Sequence, residues 1–162
     1  MINHSARIYG REAKNHMDQA LELGVSGARD LLESFYFAFN QRDLAVFKQV
    51  WANHELIQLN NPLGGLLRGD AVIVDLYQRI FSGPARVWVE FNDIVEFQAH
   101  DMVVFAGREQ GEFTRNTETL ALKIRTTRIV QWMGDEIGWR QVHHHGSIDN
   151  PQMLASYQAA VQ

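Results

Sequence analysis

The chain has 162 residues, 46% of them hydrophobic, a formal net charge of −4 and no cysteine, which fits one domain with enough chain to bury a core. An acidic balance without a dense basic patch excludes a nucleic-acid surface, because neutralising phosphates takes clustered Lys and Arg, and the missing cysteines exclude disulfides, thiolate catalysis and zinc ribbons. No apolar stretch has signal-peptide or bilayer-spanning length, so the expectation is a cytoplasmic protein with no membrane partner.

Residues 1–26 read as a polar extension, helical over "REAKNHMDQALELG" and closed by Gly24 as a C-cap. In "GARDLLESFYFAFNQRD", Leu31, Phe35 and Phe39 recur at i, i+4 and i+8, with Leu32 and Ala38 beside them, which predicts an amphipathic helix. Asp43 is placed to cap a second short helix carrying Leu44, Phe47, Val50 and Trp51 on one face. "ELIQLNNPLGG" reads as a short strand broken by Pro62 and the glycines. Asp70 is placed to cap a third helix, "AVIVDLYQRIF", which Gly83-Pro84 ends.

After Pro84 the segments "ARVWVEFNDIVEFQ", "DMVVFAGREQGEF", "ETLALKIRTTRIVQWM" and "GWRQVHHHGS" are rich in β-branched and aromatic residues with partial alternation, and polar turns separate them. "NPQMLASYQAA" closes the chain as a helix with Pro151 in its first turn. Helices first, then a short strand, another helix and a run of long strands imply an α+β domain, with helices packed on one face of a curved antiparallel sheet. The domain spans 27–149, and residues 150–162 supply its C-terminal helix.

The histidine triplet invites a metal reading. On a strand, side chains alternate faces, so His143 and His145 are expected on one face with Trp139 and Gln141, and His144 on the other with Val142 and Arg140. The triplet is therefore not one three-ligand site. The His143/His145 pair offers two ligands and spacing indicates no third, so neither metal nor cofactor is expected. In "ETLALKIRTTRIVQW" the even positions Leu120, Leu122, Ile124, Thr126, Arg128, Val130 and Trp132 are mostly apolar, which carries Arg128 toward the core or a pocket. A guanidinium there cannot shed its proton and needs a carboxylate, a ligand anion or water.

Three strings carry a family resemblance. "AFNQRDLAVFKQVWA", "NPLGGLLRGDAVIVDLYQRIF" and "GWRQVHHHGS" resemble the first two helices, the strand–loop–third helix and the last strand of the SnoaL-like branch of the nuclear transport factor two-like superfamily, over residues 28–148. The resemblance implies a cone: a strongly bent sheet wraps the helices, a pocket opens at the wide end, and the outer sheet face often makes a homodimer. It also puts His144 on the inner face as an acid/base candidate. The superfamily's steroid isomerases use a carboxylate before a proline and a tyrosine on the first helix; here those places hold Asn61 and Phe35, which supply neither base nor donor, and Tyr36 is expected to point elsewhere. "VVFAGREQ", "TTRIVQW" and "GWRQVHHHGS" resemble the calmodulin-dependent kinase association domain, which implies Arg108 and Arg128 in the pocket, with Gly146 where that domain has a further arginine.

Fold resemblance does not fix function. The expected ligand set is Arg128, Arg108, Asn61, Trp51, Tyr77 and Phe35, around a small, acidic, partly apolar molecule, with aromatic walls holding its body. The alternatives are a non-catalytic homodimeric binding or assembly module, and an isomerase, cyclase or dehydratase using His144. Bland readings accompany these: Trp51 as a core aromatic, and Arg108 paired with Glu90, Glu96 or Glu109.

Overall fold

The computed structural model describes all residues 1–162. Its elements run β1 (Ile2–Ser5), α1 (Val25–Gln41), α2 (Leu44–Val50), β2 (Gln58–Asn60), β3 (Leu66–Arg68), α3 (Asp70–Ser82), β4 (Arg86–Gln98), β5 (Met102–Arg115), β6 (Glu118–Trp132), β7 (Trp139–Ser147) and α4 (Pro151–Ala160). The strands form one curved, unclosed seven-stranded sheet in the order β1-β4-β5-β6-β7-β2-β3. β4 to β7 make an antiparallel meander, β1 adds antiparallel to β4, and the β2–β3 hairpin joins β7 through the sheet's one parallel pairing. This is the expected α+β architecture, with helices seated in the concave face.

Alternation selects the inner face. On β6 the buried residues are Leu122, Ile124, Thr126, Arg128 and Val130, the even set. On β5 they are Val103, Phe105, Glu109 and Phe113, and on β4 Val89 and Phe91, then Ile94 and Glu96 beyond an irregularity at 92–95. Gly111 lets the sheet bend tightly: a Cβ there would lie 1.9 Å from the Trp88 carbonyl oxygen. α1 runs through the concavity and is wrapped on much of its circumference, so Leu31, Leu32, Phe35, Tyr36 and Ala38 are all buried. Asp43 caps α2 as expected, its side chain accepting from the Val46 N–H at 3.0 Å.

Three expectations need correction. Residues 11–24 form no α-helix; only a 3₁₀ turn, Gln19–Leu21, is present, and Gly24 (φ 113°) precedes α1 instead of ending an earlier helix. The extension is held by strand pairing and packing: β1 lines the edge of β4, and Tyr9, Met17 and Ala20 enter the core. At α3, Gly69 takes the N-cap position and Asp70 is the first helical residue, where its charge still favours the helix dipole. In β7 the register slips, with Ile129 opposite His143 but Val130 opposite Gln141, so Val142 is an extra residue. The bulge reverses the alternation. Trp139 and Gln141 therefore turn inward on the same face as His144, and only His143 and His145 keep the outward side.

Candidate functional site

The inner face converges on a buried ion pair. Arg128, only 2% exposed, donates from one Nη to Glu109 Oε1 at 2.8 Å, from Nε to the Tyr36 hydroxyl at 2.9 Å and from its other Nη to Gln141 Oε1 at 3.2 Å. Its guanidinium lies 3.6 Å from the Phe35 ring centroid, a cation–π contact in a water-poor setting. The Tyr36 hydroxyl accepts from Arg128 and donates to Glu109 Oε1 at 2.5 Å, so three side chains from α1, β5 and β6 close a triangle. Burial raises the Tyr36 hydroxyl well above its ordinary range, which keeps it a donor. Burial alone would lower the Arg128 guanidinium, but its interactions with Tyr36 and the Glu109 carboxylate outweigh this and raise it. The network is charge-balanced without a ligand.

Both bonds to Glu109 use Oε1, which leaves Oε2 without a protein partner. Glu109, Arg128 and His144 border a cavity of about 90 Å³ whose other walls are mostly apolar, among them Phe35, Tyr77, Val89, Leu122 and Ile124. His144 sits opposite Arg128 across β6–β7 and is 3% exposed. Burial, then the neighbouring Arg128 charge, drives its imidazole well below the usual histidine range, so it stays neutral. Its Nδ1 has no hydrogen-bond partner. The site thus offers a carboxylate oxygen and a neutral imidazole at the wall of an apolar cavity. A second, larger cavity of about 400 Å³ lies toward the mouth, bordered by α3, β5 and α4.

The structure brings together Arg128, His144, Asn61, Tyr77 and Phe35 around the inner cavity. Arg108 and Trp51 are not among its lining residues. Arg108 occupies an even, outward position on β5 and pairs with Asp93 at 3.3 Å in solvent, not with Glu90, Glu96 or Glu109. Trp51 lies under the parallel bridge to Gln141 and tilts against Phe47, a core aromatic. Tyr36, set aside because it is one position off the expected tyrosine, supplies the hydroxyl that Phe35 lacks; both face Arg128 because α1 is enclosed on more than one side. Glu109 is the functional candidate that sequence reasoning missed. The alternation Val103, Phe105, Gly107, Glu109, Gly111, Phe113 carried the signal, since it puts one carboxylate in an otherwise apolar or glycine register. Gly146 points inward too: a Cβ there would come 2.7 Å from the Pro62 ring and 3.2 Å from His144 Nε2, so a further inward arginine does not fit.

No helix is long and apolar enough to cross a membrane. No curated protein matches the chain. Among solved structures it is similar to a protein from Thiobacillus denitrificans provisionally named a calcium/calmodulin-dependent protein kinase type II association domain, with 27% identity over 75% of this chain and 94% of that one and a TM-score of 0.59. It is similar in fold to a nuclear transport factor two-like superfamily protein from Salmonella enterica (16% identity, 75% and 88% covered, TM-score 0.67). It is also similar in fold to a cystatin-like protein from Caulobacter vibrioides (17% identity, 86% and 99% covered, TM-score 0.64). The family model of the SnoaL-like domain matches residues 28–151, from the first turn of α1 to the start of α4, a span that holds every residue lining the two cavities except Tyr157 and Val161. By that match the chain belongs to the SnoaL-like family.

Proposed function

We propose that this chain is a small-molecule pocket protein whose ligand is a partly apolar acid with a polar group held between Glu109, His144 and Arg128. The supporting observation is that His144 Nδ1 is buried without a partner beside an apolar cavity, where Glu109 Oε2 also accepts no protein hydrogen bond, since a buried polar group without a partner costs free energy that a ligand recovers. The chemistry these groups supply is proton transfer, with Glu109 as acceptor and neutral His144 as its counterpart, the pattern of isomerases, cyclases and dehydratases. Thermal-shift and native mass measurements with small aromatic and aliphatic acids test this reading. Ligands should raise the melting temperature of the wild type but not that of Leu122→Phe, which fills the inner cavity. His144→Gln should bind and lose any turnover. Equal shifts in wild type and Leu122→Phe would end the reading.

A second reading, a non-catalytic homodimeric assembly module, is favoured by the likeness to an association domain and by the outer sheet face. There Ile2, Phe97, Val104, Ile129 and His143 fall in register as one cross-strand row, with Phe97 42% exposed. A monomeric mass by light scattering at tens of micromolar removes it.

A further inference from the structure

The inner cavity of about 90 Å³ holds a head group and little more, whereas small-molecule pockets enclose roughly 300–1,000 Å³. The outer cavity of about 400 Å³ shares Asn61, Leu63, Ile80, Val87 and Tyr157 with it, so the two meet along one wall. Tyr157, from α4, stands at that junction edge-to-face with Phe113 at 5.2 Å. α4 itself is fastened over the mouth by Gln158 Nε2 donating to the Leu63 carbonyl at 3.0 Å and by Arg115 donating to the Ala160 carbonyl at 3.0 Å.

Charge is distributed unevenly along this path. At the inner end Arg128 is neutralised by Glu109, and an incoming carboxylate would meet the free Glu109 oxygen in a water-poor setting, where like charges repel strongly. The outer cavity has Arg79 and Arg115 on its wall and no acidic residue. Arg79 is committed to Asp75 on its own helix. Arg115 is half-buried and has no ion-pair partner; Glu118, opposite it across the β5–β6 turn, is exposed and makes no ion pair with it. Building on the pocket reading, we infer that one elongated ligand spans both cavities, with an uncharged hydroxyl or carbonyl head at Glu109 and His144, an apolar body past Val87 and Tyr157, and its acid group outward on Arg115. The ligand class is an oxygenated, medium-length carboxylic acid. The polarity is opposite to that implied by treating Arg128 as the anion receptor.

Isothermal titration with ω-hydroxyoctanoate, octanoate and octanol on wild type, Arg115→Gln and Arg115→Lys tests the orientation. The wild type should prefer ω-hydroxyoctanoate to octanoate, and octanoate to octanol. Arg115→Gln should weaken both acids about tenfold, the scale of one lost charge-assisted partner near solvent, and leave octanol unchanged; Arg115→Lys should restore most of the loss. Binding of the acids that ignores Arg115→Gln, or equal binding of octanoate and octanol, overturns the inference. Failure of all three probes on the wild type overturns it as well, while the pocket reading is decided separately by the Leu122→Phe comparison.

Discussion

Replacing Arg128 by Met keeps most of the stem volume and removes the charge. Three hydrogen bonds disappear, to Glu109, Tyr36 and Gln141, along with the cation–π contact on Phe35. The larger consequence is at Glu109, which is 4% exposed and loses its only cationic partner. Breaking a buried pair by removing one member costs about 3–5 kcal/mol. The adjoining cavity of about 90 Å³ can admit water to Glu109, which puts the expected loss at the lower end, near 3 kcal/mol at neutral pH. The double variant Arg128→Met/Glu109→Gln removes both charges and should recover most of the loss, giving a coupling energy of about 2 kcal/mol or more. Urea unfolding of the wild type, both singles and the double at pH 7.5 measures every leg. An Arg128→Met protein within about 1 kcal/mol of wild type, or a double variant that loses the sum of the singles, would refute the ion-pair account.

Two further outcomes follow from the same geometry. His144 is held neutral in the fold, so between the ordinary histidine range and its own lower value the unfolded chain binds a proton that the native state does not; stability should fall as pH drops below about 6.5, with a slope approaching 1.4 kcal/mol per pH unit. His143, shifted the same way by burial and His145, adds to the slope, and thermal melts of His144→Gln across pH 5–8 should show a flatter profile than wild type; identical profiles would mean that His144 is protonated in the fold. Gly146→Ala should destabilise by about 1–3 kcal/mol, because its Cβ would sit 2.7 Å from the Pro62 ring, and it should also weaken ligand binding by displacing the Asn61-Pro62 turn from the cavity.

Much of this architecture was legible in the residues, and the parts that were not share a cause. Helical spacing located α1 to α4, and the even register of β6 put Arg128 inside. What failed was alternation across an irregularity: nothing local marks Val142 as an extra residue, yet that residue decides whether Trp139 and Gln141 face solvent or core. The N-terminal extension failed differently. Its helical periodicity was weak, and pairing with β4, a contact with no local signature, outweighed propensity. A single buried stripe on α1 points Tyr36 away from the site, but the sheet encloses this helix on more than one side and buries Tyr36 beside Phe35. Glu109 was visible by period alone, whereas family likeness points to its neighbour Arg108, which is a surface residue. The resemblance served the fold well and that side chain poorly.

The strand order has a consequence for how the chain acquires its shape. The β4–β5, β5–β6 and β6–β7 hairpins close between neighbours in sequence and need little loop entropy. Both flanks are different: Ile2 pairs with Phe97, and Leu59 pairs in parallel with His144. β1 therefore waits for β4, and β2 waits for β7, so the flanks dock onto a meander of local hairpins. Until the β2–β3 hairpin arrives, the β7 edge beside His144 is an open row of backbone donors and acceptors. The candidate site is thus assembled at a flank of the sheet that closes through long-range pairing, where pulse-labelled hydrogen exchange should show His144 protected after Phe105.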